Sequence, residues 1–67
     1  MSIGSELKRY RERSYITQKR LGVMLGFPEQ YAEAIIHHWE HDKRNVPLKH
    51  FRKLHELIGI PYEKLIP

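Results

Sequence analysis

Sixty-seven residues allow one small domain with one hydrophobic core, because shorter chains bury too little apolar area to stand alone. The absence of cysteine excludes a disulfide framework and a thiolate metal site, and leaves the cytosol as the default compartment. Twelve Lys and Arg against eight Asp and Glu give a formal charge of +4, a surplus that suits a polyanionic partner and equally a merely solvated surface. Nothing resembles a signal peptide or a membrane span, since the apolar residues come in short groups such as Ala34-Ile35-Ile36 and never in a run of about 18.

In chain order, Ile3, Leu7 and Tyr10 recur at helical spacing in a first segment ending near Arg13. Ser14-Tyr15 interrupts it. Thr17 can cap a second helix, its hydroxyl accepting from an orphan amide while Leu21, Met24 and Leu25 turn to one face. Arg20 in the third position rules out a capping box there. Gly26-Phe27-Pro28 breaks the pattern again, and a third segment running to Trp39 carries an apolar stripe of Ala32, Ile35, Ile36 and Trp39. Asp42 to Pro47 reads as a loop. A fourth helix is expected to begin with Pro47 in its first helical position, followed by Leu48, Phe51, Leu54 and Ile58 at spacings of three and four. Gly59 stops it, and Pro61 opens a last short turn that lays Leu65 and Ile66 on the core. No segment alternates as a strand would, so the expected fold is all-α, a compact bundle of four to five short helices.

The stretch Ile16-Thr17-Gln18-Lys19-Arg20-Leu21-Gly22-Val23-Met24-Leu25-Gly26 resembles the second helix and turn of the Cro and lambda-repressor-like (Xre-type) helix-turn-helix family. The likeness spans nearly the whole chain: Leu7-Lys8 through Arg11, the Trp39-Glu40 pair, the Lys43-Arg44-Asn45 loop, and Leu48 through Ile60. It implies a single DNA-binding domain over residues 1–67, with helix two at about 17–25 and the recognition helix at about 28–40. Gly22 stands where the family commonly has alanine and leaves room for the third helix to cross closely over the second. Arg11 and Glu40 match a pair that family members join as an ion pair, a scaffold role.

The resemblance departs before the tryptophan, where Gly26-Phe27-Pro28-Glu29-Gln30-Tyr31 adds roughly one helical turn of chain. Either Pro28 opens a longer helix, or Pro28 to Tyr31 bulges and the helix begins near Ala32. The former is preferred, because Pro followed by Glu suits both the stereochemistry and the dipole of a helix start. Counted back from Ile36 and Trp39, the base-reading candidates are Glu33, Ala34 and His38, with Gln30 and His37 nearby. Gln18, with Thr17 and Lys19 beside it, matches the family's phosphate grip at the start of helix two, and Lys43, Arg44 and Asn45 lie where the family runs beside the sugar-phosphate backbone. Their plainer reading is an exposed, solvated surface.

The function implied is sequence-specific binding of double-stranded DNA by a bacterial, phage or mobile-element regulator, most economically a repressor on a palindromic operator. Two copies would pair through the last helix or through a segment outside this chain. No cofactor, metal, membrane or small-molecule substrate is expected. An enzyme is the weakest rival: His37 and His41 are spaced for one helix face beside Glu40, but the His-Glu-x-x-His order, a nucleophile elbow and a glycine-rich phosphate loop are all missing. The second rival is a protein-interaction module on the same fold, with Phe27, Tyr31 and Tyr62 as candidate exposed anchors, whose plainer and preferred reading is ordinary core or edge packing.

Overall fold

The computed structural model describes residues 2–66, and among them all regular structure is helical: α1 (Ile3–Arg13), α2 (Gln18–Met24), α3 (Glu29–Glu40) and α4 (Phe51–Ile58), with 3₁₀ turns at Leu48–His50 and Tyr62–Lys64. Among the described residues no helix is long and apolar enough to cross a membrane.

Each helix start has a local cause. At α1 the Ser2 hydroxyl accepts from the Ser5 amide, and the Ser5 hydroxyl accepts in return from the Ser2 amide, so Ser5 closes the capping box that Glu or Gln usually completes. At α2 the Thr17 hydroxyl accepts from the Arg20 amide at 3.1 Å. Pro28 precedes α3 as its cap, extended at φ −56° and ψ 141°, so the recognition-helix candidate begins at Glu29, one residue later than Pro28 as expected from the sequence. The longer-helix alternative is the one the chain adopts, and Pro28 contributes its carbonyl, which accepts from the Tyr31 and Ala32 amides. Pro47 is likewise a cap and not a first helical residue: ψ of 141° holds it extended, and the chain passes through a 3₁₀ turn before α4 begins at Phe51.

The first three helices end in one pattern. After α2, Gly26 at φ +96° lets its own amide donate to Val23 and the Phe27 amide reach back to Gly22 at 3.0 Å, a Schellman closure of the last turn. The same pair of bonds closes α1, with Tyr15 left-handed at φ +56° and the Ile16 amide on the Arg11 carbonyl, and closes α3, with Asp42 at φ +56° and the Lys43 amide on His38. Gly59, at φ +72°, ends α4.

Leu7, Leu21, Ile36, Leu54, Ile60 and Leu65 are fully buried and meet Trp39 and Ile58 in one core. Two residues assigned to it by sequence lie outside. Leu48 is 78% exposed, because the 3₁₀ turn takes it off the face shared by Phe51, Leu54 and Ile58, and Ile66 is 60% exposed beyond the turn that buries Leu65. Glycine permits the two closest backbone approaches. A Cβ on Gly4 would meet the carbonyls of Trp39 and Glu40, and one on Gly22 would lie 2.6 Å from the Cβ of Ala32. These contacts set α1 against the end of α3, and α2 against its beginning.

Candidate nucleic-acid interface

The packing of α2 on α3 decides which side of α3 faces out. With Ala32, Ile36, Trp39 and Glu40 buried, the 3.6-residue period places Gln30, Glu33 and Ala34 in solvent and leaves His37 and His38 half-buried at the margins. All five base-reading candidates therefore lie on the outward side of one helix. Ala34 is its crest, lining a shallow depression on either side.

On the α2 side the depression is polar, formed by Lys19, Glu29, Gln30, Glu33 and His37. Lys19 Nζ sits 2.9 Å from Glu29 Oε1, a bridge between two exposed side chains. The hydrogen bond and charge of Glu29, with Glu33 adding a smaller share, raise the Lys19 ammonium above its usual value, and Lys19 lowers Glu29 in return. On the other side lie Tyr31, Ile35, His38, Trp39 and Pro47, rimmed by Arg44, Asn45 and Lys49. Its floor is aromatic: Phe27 meets Trp39 edge-on with centroids 5.7 Å apart, and His50 packs 5.1 Å from Phe27 and 5.5 Å from Trp39. Burial, helped by the charge of Lys49, lowers the His50 imidazolium below its usual range. Phe27 is thus half-buried packing and not the exposed anchor expected for a protein-docking module, whereas Tyr31 and Tyr62 are exposed at 56% and 43%.

The phosphate candidates divide into two groups. Near α2 they are already engaged: the Thr17 hydroxyl caps its own helix, Lys19 holds Glu29, and the Gln18 amide donates to Glu40 Oε1 at 3.0 Å. In the loop after α3, Lys43, Arg44 and Asn45 are all exposed, and among the described residues neither cation has an ion-pair partner. The Schellman closure at Asp42 turns this loop beside α3, and the Asp42 carboxylate is held by the Gly4 amide at 3.0 Å.

Behind the helix, Arg11 and Glu40 form a buried fork. Arg11 Nε donates to Glu40 Oε2 at 2.6 Å, Nη2 donates to Oε1 at 3.2 Å, and Nη1 donates to the Ile16 carbonyl at 2.7 Å. The Glu40 side chain is fully enclosed and that of Arg11 is 10% exposed. With Gln18 added, this knot joins the end of α1, the start of α2 and the end of α3, a link to Gln18 that the sequence did not suggest.

Histidines close the outward face. The His37 and His41 rings lie with centroids 4.1 Å apart and planes tilted by 31°, and His41 Nδ1 donates to the His37 carbonyl. Among the described residues no group of three or more histidine or acidic side chains converges as a metal site. No family model matches the chain, and no curated protein or solved structure matches it either.

Proposed function

We propose that this chain is a helix-turn-helix domain of the Cro and lambda-repressor-like kind that binds duplex DNA sequence-specifically, with α3 in the major groove. The observation that carries the reading is the outward row Gln30, Glu33, Ala34, His37 on a helix braced from behind, beside a loop whose Lys43 and Arg44 have no ion-pair partner among the described residues. The row offers donors, acceptors and a methyl at the spacing of base edges, and the loop offers cations at the level of the backbone. Glu33 accepts from cytosine N4, and His37, His38 and Gln30 reach purine edges. Lys43, Arg44 and Asn45 contact phosphates. In the cytoplasm, two copies on a palindromic operator would block transcription, which makes the protein a repressor.

The test separates positioning from reading. Selection from randomised duplexes yields a preferred palindrome, and anisotropy titrations follow binding against salt. Lys43→Ala or Arg44→Ala weakens binding to every duplex by a similar factor and flattens the plot of log affinity against log salt by about one unit. Glu33→Ala costs about 1–3 kcal/mol on the preferred site and far less on random DNA. Absence of any salt-dependent duplex binding refutes the proposal, and salt-insensitive binding to a protein would favour an interaction module in its place.

A further inference from the structure

We infer that His37 and His41 form a two-imidazole chelate for a divalent late first-row transition metal, the class of nickel, copper and zinc. The inference stands apart from the DNA-binding reading. The two residues are one helical turn apart on the same side of the end of α3, with ring centroids at 4.1 Å. Two nitrogens bound to one ion at about 2.1 Å and at the tetrahedral angle are about 3.4 Å apart, so rings this close come onto one ion by side-chain rotation alone. The tautomer of His41 is already set. The His37 carbonyl can only accept, so the 2.9 Å contact puts a proton on His41 Nδ1 and leaves the lone pair of the neutral ring on Nε2. Metal-bound imidazoles almost always have such a partner on the other nitrogen, where it fixes the ring and raises its basicity.

The surroundings favour a cation and define its class. α3 ends at this point, and the carbonyls of its last turn set the negative pole of the helix beside the pair. Glu33, one turn before His37 and lining the same polar depression, adds a carboxylate on that side, whereas Glu40 is turned inward to Arg11 and takes no part. His38, its ring 6.2 Å from that of His37, lies on the opposite flank of α3. Imidazole nitrogen selects nickel, copper and zinc over magnesium and calcium, which take oxygen, and a chain without cysteine offers no thiolate in competition. Among the described residues no third histidine or acidic side chain completes a cage, so water fills the remaining positions and the ion is an exchangeable one.

The test uses the full chain without an affinity tag, stripped of metal by a chelator and titrated calorimetrically with zinc chloride alone. Expected are one ion per chain, a thermal midpoint that rises with zinc, and no binding of magnesium chloride under the same conditions. Copper sulfate added to the unaltered protein gives an electron spin resonance spectrum coupled to two imidazole nitrogens. His37→Ala and His41→Ala, each checked for folding by circular dichroism, weaken zinc binding by about tenfold or more, since even the outer partners of such ligands are worth that much. His55→Gln, on α4, leaves it unchanged. Zinc affinity that survives the loss of either His37 or His41 overturns the inference, as does a copper spectrum with a single nitrogen or the absence of binding at millimolar zinc. Because the copper spectrum needs no substitution, a variant that fails to fold leaves the inference open to refutation.

Discussion

Arg11→Met tests the knot behind α3. The substitution keeps the aliphatic stem and removes three donors at once, leaving Glu40 Oε2 and the Ile16 carbonyl without their partner and Oε1 with the Gln18 amide alone. Glu40 has no route to water, its side chain being fully enclosed. Breaking one half of such a buried pair costs about 3–5 kcal/mol, and a chain of this length has about 3–10 kcal/mol in all. The variant should therefore be partly unfolded at 25 °C, with a thermal midpoint at least about 12 °C lower. A second substitution separates charge from shape: Arg11→Met with Glu40→Gln removes the stranded charge while keeping a carbonyl for Gln18, so the double variant should be more stable than Arg11→Met alone. Thermal and urea melts by circular dichroism measure both. An Arg11→Met midpoint within about 2 °C of the parent would mean that the fork carries little, and a double variant no better than the single would mean that lost packing, not a buried charge, is the cost.

Three shorter predictions probe the backbone and the aromatic floor. Gly22→Ala and Gly4→Ala each force backbone or Ala32 to move, so each should lower stability by about 1–3 kcal/mol in chemical melts despite the better helix propensity of alanine; a stabilised variant would mean the close approaches are not needed. Tyr15 is left-handed and 96% exposed, so Tyr15→Gly should raise stability by about 1 kcal/mol, and a lower midpoint would contradict that conformation. His50 titrates below its usual range in the folded state, so unfolded chains hold more protons on it between that lowered value and about 6.5. Its contribution is fully present above pH 6.5 and is lost as the pH falls through that window. His50→Phe should flatten the pH profile of the midpoint below 6.5, and identical profiles would refute the assignment.

The sequence made visible what depends on near neighbours. Thr17 announced its cap, Gly26 and Gly59 their turns, and the stripe of Ala32, Ile36 and Trp39 fixed which side of α3 is outward, from which the exposure of Gln30, Glu33 and Ala34 follows by the helical period. What escaped depends on distant partners or on unfavourable residues in required conformations. Tyr15 and Asp42 take the left-handed position that favours glycine, which the breaks at Ser14-Tyr15 and Asp42 place but do not specify; Asp42 gains in return a bond to Gly4, 38 residues away in sequence. Leu48 fits the stripe of α4 on paper, but a proline cap and a 3₁₀ turn rotate it into solvent. Gln18 and Lys19 look like free polar residues at a helix start until folding brings Glu40 and Glu29 to them.

These distant contacts fall at both ends of α3, and that placement bears on how the helix could read DNA. Glu40 is gripped from behind by Arg11 and Gln18, the first turn is tied outside by Lys19 to Glu29, and Gly22 admits Ala32 close by the start. A helix fastened at both ends resists rolling about its axis, and roll is the motion that would exchange Glu33 and Ala34 for Tyr31 or Ile35 against a base. Side chains must be held to within about half an ångström to discriminate, so under the proposed DNA-binding reading the fastenings would serve specificity as well as stability. The exposed Lys19 to Glu29 tie is the one that can be cut without threatening the core. Its loss would free a cation for phosphate and let the first turn of α3 roll, which should strengthen binding to random duplexes while narrowing the preference for the selected site.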